Sequence, residues 1–269
     1  MALPTTGLTF HADASVVTDL WKTNAPFATH PADNEGFSFW DDVEHADIVG
    51  AGVASPVWRS GTPLMLLPCT DFDGSSQYFQ LKNNAGTVNK ALSDIITNSA
   101  ATLLVSFYAE GITANAAAAY DNDCIFGDAG GFFGLHLKNS ADPRLLFYNW
   151  DGNEDTLSLA TTINASHVAM MRHEGSNIYG SIDGGSESSV ASGNTSTMTG
   201  NPQIARGVGA KYFNGRIGEI AIWNAALTGS DLSDAISYFT SKWLGVAGAM
   251  LRHPGMSGMR NEMAGGLIG

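Results

Sequence analysis

The chain has 269 residues, of which 44% are hydrophobic and only 14% charged, with 31 glycines and a formal net charge of −13. An acidic balance of that size, with a pI near 4.7, excludes a nucleic-acid backbone as partner, because such binding needs a basic footprint. No apolar run approaches the ~20 residues that a membrane-spanning helix requires.

The charged fraction lies well below the roughly 25% of an average domain. Polarity comes instead from Ser, Thr, Asn and Gly, while the helix formers Glu, Lys and Arg are scarce. Many strands joined by many turns fit such a composition, and the length suits one large β domain of roughly 200–250 residues or two small ones. Met1-Ala2-Leu3-Pro4 lacks the basic and apolar regions of a secretory signal. Cys69 and Cys124 both sit in apolar surroundings and read as two buried free thiols rather than a disulfide.

From Gly7 to Ser15 the chain alternates apolar and polar, which puts Leu8, Phe10 and Ala12 on one face of a first strand. Trp40-Asp41-Asp42 follows, then Phe72-Asp73-Gly74-Ser75 ahead of Tyr78-Phe79. Thr102 to Ala109 is apolar enough to be buried on both faces. Cys124 to Gly127 and Gly131 to Leu137 read as a strand pair about a glycine turn, and Arg144 to Trp150 as a strand ended by Asp151-Gly152. His167 to Met171 and Ile178 to Ile182 make a hairpin around Glu174-Gly175, with Ile178, Gly180 and Ile182 sharing a face. Residues 185–203 are rich in Ser, Thr and Gly and read as a polar strand with generous turns; a flexible linker is the alternative.

In the last strand Phe213, Gly215 and Ile217 keep one parity and Ile220 and Ile222 the other, so a β-bulge is expected at Gly218-Glu219. A helix follows, with Thr228 at its N-cap, Asp231 three residues on, and a stripe of Leu232, Ala235, Ile236, Phe239 and Trp243 at helical spacing. Gly245 is its natural stop. Residues 247–269 are Gly- and Met-rich without a usable period. They read as a docking arm in which Met250, Leu251, Arg252, Met256, Met259, Arg260, Met263, Leu267 and Ile268 are adaptable anchors for a partner.

Ser166-His167-Val168-Ala169-Met170-Met171-Arg172-His173-Glu174-Gly175, continued by Ile182-Asp183-Gly184-Gly185, resembles the closing hairpin of laminin-G-like domains, and Phe213 to Leu227 resembles their last inner strand. The order of Asp13-Ala14-Ser15, Trp40-Asp41-Asp42 and Phe72-Asp73-Gly74-Ser75 is similar too, and the likeness is loosest between residues 80 and 160. The resemblance implies an all-β, antiparallel jelly-roll β-sandwich of concanavalin A-like topology over residues 1–246. It also implies one C-terminal helix packed across an edge or end of the sandwich.

For a glycosidase of this fold, two acids ~5–5.5 Å apart are needed. The Glu-x-Asp-x-x-Glu run that supplies them in related glucanases is absent: at Glu219 the partner position holds Ala221. The resemblance implies a structural role for Glu219, and for His167 a packed, hydrogen-bonded one. The remaining histidines show no zinc-ligand spacing. Asp151, Asn153 and Asp155 alternate like an oxygen-ligand loop, though Thr156 and Thr162 stand where an EF-hand needs Gly and Glu. With Asp121 and Asp123 they form the candidate Ca2+ set; the competing reading is turn residues that cap their own backbone. Tyr120, Trp150 and Asn153 are the candidate glycan rim.

No catalytic residue is assigned, and the chain is expected to be non-enzymatic. Low charge density, the arm and the resemblance, which extends to bacteriophage virion surface proteins, point to a virion structural protein. That would be a capsid decoration or tail-surface subunit at the virion surface, bound to other virion proteins and to its own copies, and able to touch host surface glycan. A secreted or surface glycan-binding module is the alternative, and a glycoside hydrolase the weakest one.

Overall fold

The computed structural model describes residues 2–16, 18, 20–22, 30–42, 48–60, 67–96, 100–130, 133–150, 154–192 and 200–245, the side chains of Trp21, Phe39 and Trp150 excepted. Two sheets face each other as a sandwich. The first contains nine described strands: β1 (Leu8–Asp13), β3 (Glu35–Gly36), β6 (Val57–Arg59), β7 (Cys69–Asp73), β9 (Ala100–Gly111), β14 (Ser166–Glu174), β15 (Asn177–Ile182), β16 (Ser188–Ala191) and β20 (Asn214–Trp223). Its order is β16-β15-β14-β9-β20-β7-β6-β3, with β1 also against β20.

The second contains eleven: β2 (Leu20–Trp21), β4 (Phe39–Asp41), β5 (Ile48–Val53), β8 (Tyr78–Asn83), β10 (Asp123–Asp128), β11 (Phe133–Lys138), β12 (Arg144–Trp150), β13 (Glu154–Ala160), β17 (Pro202–Ile204), β18 (Arg206–Gly207) and β19 (Lys211–Tyr212). Its order is β13-β12-β11-β10-β17-β8-β5-β4-β2, with the short β18–β19 pair attached beside β10. Ladders are antiparallel apart from one parallel pairing of Cys124 with Tyr212.

The main core lies between the sheets. Phe10, Phe72, Phe107 and Ile217 come from the first sheet, Phe213 from the residue just before β20, and Phe79, Phe126, Leu135, Phe147 and Ile204 from the second sheet. A second apolar cluster lies on the outer face of the first sheet, where the helix α1 (Gly229–Trp243) packs Ala235, Phe239 and Trp243 against Leu104 and Tyr108 of β9, Val168 and Met170 of β14, and Trp223 of β20. The central strands are thus covered on both faces, which is why β9 reads as a nearly continuous apolar run instead of alternating. The helix therefore lies on the face of the sheet, not at an edge or end of the sandwich. Its stripe needs a wide apolar floor, and only the centre of the sheet offers one.

Smaller expectations fare unevenly. Thr228 occupies the N-cap but its side chain makes no capping hydrogen bond. Gly245 does not take the left-handed conformation; a Cβ there would approach Ser241 O to 2.4 Å, so close packing against the last turn is what calls for glycine. A register irregularity between Leu8 and Phe10 splits the first strand's apolar set. Leu8 joins the cluster under the helix, while Phe10 and Ala12 enter the main core.

The bulge foreseen at Gly218 is present, as a register shift between Ile217 and Glu219 against β9. It also divides the other edge of β20. Residues Asn214 to Ile217 pair with β7, and Glu219 to Trp223 pair with β1. Because side chains alternate across a strand, the extra residue moves Glu219 from the core-facing parity of Ile217 to the helix-facing parity of Ala221 and Trp223.

The turn motif Phe72-Asp73-Gly74-Ser75 has a local reason as well. Asp73 accepts from the backbone N–H groups of Ser75, Ser76 and Gln77 and from the Ser76 hydroxyl. Against the cost of its partial burial, these bonds hold its carboxyl well below the usual range.

Gly218 is where the bulge meets the helix: a Cβ there would sit 2.3 Å from two Trp243 ring carbons and 2.8 Å from Ser106 Oγ. Gly218→Ala is expected to lift the C-terminal end of α1 and cost about 1–3 kcal/mol, read as a lower urea midpoint with altered Trp fluorescence. An unchanged midpoint would count against this packing.

Candidate functional site

Two places concentrate polar side chains. Beneath α1, the carboxylate of Glu219 is fully buried. Its Oε1 accepts from His11 Nε2 at 2.6 Å, and its Oε2 accepts from Trp243 Nε1 at 2.7 Å and Lys242 Nζ at 2.8 Å. Lys242 also meets Asp13, the residue opposite Glu219 in the β1–β20 register. Asp13 in turn accepts from the N–H and hydroxyl of Ser15, and Asp42 Oδ1 accepts from His11 N. Burial alone would raise the Glu219 pKa, but the His11 hydrogen bond and the Lys242 charge hold it below its ordinary value. Glu219 is held by three donors of β1 and α1 and has no exposed surface.

His167 is likewise fully engaged. Its Nδ1 lies 2.8 Å from Asp183 Oδ2 and its Nε2 2.8 Å from Thr162 Oγ1, while its ring packs on Phe107. Asp183 Oδ1 accepts from Val168 N, so the group closes the β14–β15 hairpin, in keeping with the packed role expected of this histidine. Cys69 and Cys124 are free, buried thiols; desolvation pushes the Cys69 pKa up to about 12 and raises that of Cys124 as well.

The second place is the outer face of the second sheet, against which α1 does not pack. Strands β10, β11 and β12 turn Cys124, His136, Leu146 and Tyr148 outward, and two short segments roof them. One is a 3-10 turn, Ala119–Asp121, packed on Leu146 and Tyr148. It is pinned by Asn122, whose Oδ1 accepts from Ala116 N and whose Nδ2 donates to Ala118 O, and by Glu154, which accepts from Ala119 N. The other is the β18–β19 pair, whose Gly207 backbone lies so close that a Cβ would reach Cys124 Sγ at 3.1 Å and His136 Cε1 at 3.3 Å. Under this roof, burial pushes the His136 pKa down to about 4. An ion pair of 3.2 Å between Asp121 and Lys211 joins the two segments.

Along this face stand half-buried tyrosines. Tyr120 lies against Tyr148 with ring centroids 5.8 Å apart, and Tyr78 faces Tyr212 at 6.2 Å. Arg206 lies over both of the latter rings, its Cζ 4.6 Å from the Tyr78 centroid and 5.7 Å from that of Tyr212.

Of the glycan rim read from sequence, Tyr120 is on this face; the side chain of Trp150, together with Asn153, lies outside the described residues. Of the calcium set, Asp121, Asp123 and Asp155 are described. Asp121 pairs with Lys211. Asp123 is buried, with both oxygens accepting from Thr113, N–H at 2.6 Å and Oγ1 at 2.8 Å. Asp155 shares the inward parity of Leu157, and Asp151 and Asn153 lie outside the described residues. Among the described residues no three His, Cys, Asp or Glu side chains come together as metal ligands. The docking residues Met250, Leu251, Arg252, Met256, Met259, Arg260, Met263, Leu267 and Ile268 also lie outside them.

Sequence reading missed Tyr78, Tyr148, Arg206, Lys211 and Tyr212. For Tyr78 and Tyr148 a signal existed, since each neighbours a core phenylalanine, Phe79 or Phe147, and so had to face outward. Arg206, Lys211 and Tyr212 belong to a segment too short to show a period.

A family model described as the Concanavalin A-like lectin/glucanases superfamily matches residues 73–233. Among solved structures, domain 4 of AbnA, a GH43 extracellular arabinanase from Geobacillus stearothermophilus, in complex with arabinotriose, is similar at TM-score 0.57 and 13% identity, over 85% of this chain and 98% of that one. The binding domain of botulinum neurotoxin DC in complex with rat synaptotagmin II is similar at TM-score 0.56 and 8% identity, over 87% of this chain and 52% of that one. A Trypanosoma rangeli sialidase mutant displaying trans-sialidase activity is similar at TM-score 0.53 and 16% identity, over 90% of this chain and 34% of that one. This chain thus spans about half of the toxin domain and a third of the sialidase. A search of curated proteins finds no match.

Glu219→Gln removes the charge that Lys242 and His11 face in a dry site. It is expected to cost about 3–5 kcal/mol, read from urea unfolding at pH 7. Because the folded pKa of Glu219 is depressed, its contribution is present above the ordinary value of 4.5 and lost as pH falls through and below it. The wild-type stability curve should therefore drop over that interval more steeply than that of the variant. Parallel curves would contradict the assignment.

Proposed function

We propose, from the premise that this chain belongs to the concanavalin A-like lectin/glucanases superfamily, that it is a non-enzymatic, lectin-like module presenting the outer face of its second sheet to saccharide. The observation that carries this is the set of half-buried tyrosines on and beside the two pinned roof segments, Tyr120 on the 3-10 turn, Tyr212 on β19 and Tyr78 at the start of β8, with Asp121, Lys211 and Arg206 beside them. Aromatic faces give apolar area to sugar C–H groups at low entropic cost, and charged edges fix hydroxyls. The arabinanase domain, similar over most of both chains, is described with arabinotriose bound, which supports a sugar as ligand.

Hydrolysis is disfavoured by the engagement of Glu219. A double displacement needs a nucleophile and an acid/base across an open cleft, ~5–5.5 Å apart. Glu219 and Asp13 instead share Lys242 beneath the helix.

In the fuller reading the module sits at a virion surface as a capsid decoration or tail-surface subunit. Residues 247–269 then dock it on other virion proteins or on its own copies, while the tyrosine face meets host glycan. The support is in the sequence: low charge density and a Gly/Met-rich trailing segment that has no means of folding alone.

On a glycan array the full chain is expected to bind at least one saccharide, and Tyr212→Ala and Tyr120→Ala to weaken that binding by roughly 3- to 10-fold with unchanged circular dichroism. An array blank for the wild type would sink the reading. Deleting residues 247–269 should leave the thermal midpoint in place and abolish incorporation into particles; unimpaired incorporation would remove the docking role.

A further inference from the structure

We infer that the saccharide bound at this face carries a carboxylate, read by Arg206 where it lies over the Tyr78 and Tyr212 rings; the inference rests on the carbohydrate-binding reading above. The chain holds 26 acidic residues against 13 Lys and Arg, so an arginine ordinarily finds an acidic neighbour. Arg59 pairs with Asp71, Arg144 with Asp142, Arg172 with Glu174 and Glu187, and Arg216 with Asp71 and Glu110. Among the described residues Arg206 is the one arginine with no carboxylate within ion-pair distance. Its Nε is buried and has no hydrogen-bond acceptor there.

The side chain is nonetheless held in place. The β18–β19 register sets Arg206 opposite Tyr212, and Tyr78 enters from the start of β8. Ala205, just before it, sits at φ 66, a left-handed conformation uncommon for a residue with a Cβ. This turns the chain out of β17 at that point. Two neighbouring aromatic rings beneath a guanidinium restrain it and strip part of its hydration, and what such a fork then matches is a carboxylate, bidentately.

The local charge sets the ligand's valence. Lys211, the neighbouring cation, is already neutralised by Asp121, so one positive charge is left, enough for a monoanion. A dianionic phosphate or sulfate cluster would meet the −13 field of the whole chain with too little compensation. Uronic and ulosonic acids share the required chemistry, a pyranose ring with one carboxylate: the ring stacks on a tyrosine and the carboxylate lies in the fork.

The test titrates the full chain with 3′-sialyllactose and with the methyl glycoside of a single galacturonic acid, each beside its methyl ester, by calorimetry. One acid should bind about 10- to 100-fold more tightly than its ester, and which one does so identifies the sugar class. Arg206→Gln should bring acid and ester to equal affinity. Arg206→Lys, which keeps the charge and is the safer variant for folding, should lose most of the preference with an unchanged thermal midpoint. Equal binding of acids and esters by the wild type, or an acid preference that survives both substitutions, overturns the inference. If neutral glycans bind in a Tyr212-dependent way without acid preference, the carbohydrate reading stands and this inference falls; if no glycan binds, both fall.

Discussion

Glu219 is an ionised carboxylate with no exposed surface, and the architecture around it is organised so that it can stay ionised. One donor comes from β1 and two from the end of α1, so the carboxylate ties the first strand, the last strand and the helix together. An ion taken out of water is tolerated only when its lone pairs are met by well-placed donors. The bulge at Gly218 is the geometric condition for this. Without the extra residue Glu219 would share the parity of Ile217 and project among phenylalanines between the sheets, where the described residues offer it no donor. With it, the carboxylate turns to the helix side and Trp243 closes over the glycine.

The same clasp explains why short motifs far apart in the chain occur together. Asp13 and Ser15 form a local turn that also receives Lys242, and Asp42 accepts from the backbone of His11. These residues hold the edge of β1 while Phe10 and Ala12 fill the core behind them. Asp-Ala-Ser, Trp-x-Asp and the closing-strand acid are thus parts of one structural device.

The two outer faces are covered differently. On the first sheet, α1 covers the apolar outer residues of β9, β14 and β20. On the second, the described residues cover β10 to β12 with a 3-10 turn and a two-strand ladder, pinned by side-chain caps and by the Asp121–Lys211 pair. Segments of this kind expose tyrosine rings at defined positions without an extensive core beneath them, which is how rigid scaffolds commonly carry binding residues.

The sandwich was legible from residue pattern alone wherever strands were long: β9, β14, β15 and β20, the parity switch at Gly218 and the helix stripe from Leu232 to Trp243 all follow from side-chain period. Buried free thiols at Cys69 and Cys124 were equally readable from their apolar neighbours. Tertiary structure decided what depends on contacts between distant segments. It set the helix on a sheet face, moved Leu8 from the core to the helix side, and gave Asp121 and Asp123 partners in Lys211 and Thr113. It also brought Tyr78, Arg206 and Tyr212 together from β8, β18 and β19. Period reports only which side of its own strand a residue takes; which residues of other strands it meets there is fixed by register and by the close approach of backbones, and neither is written in a local stretch of sequence.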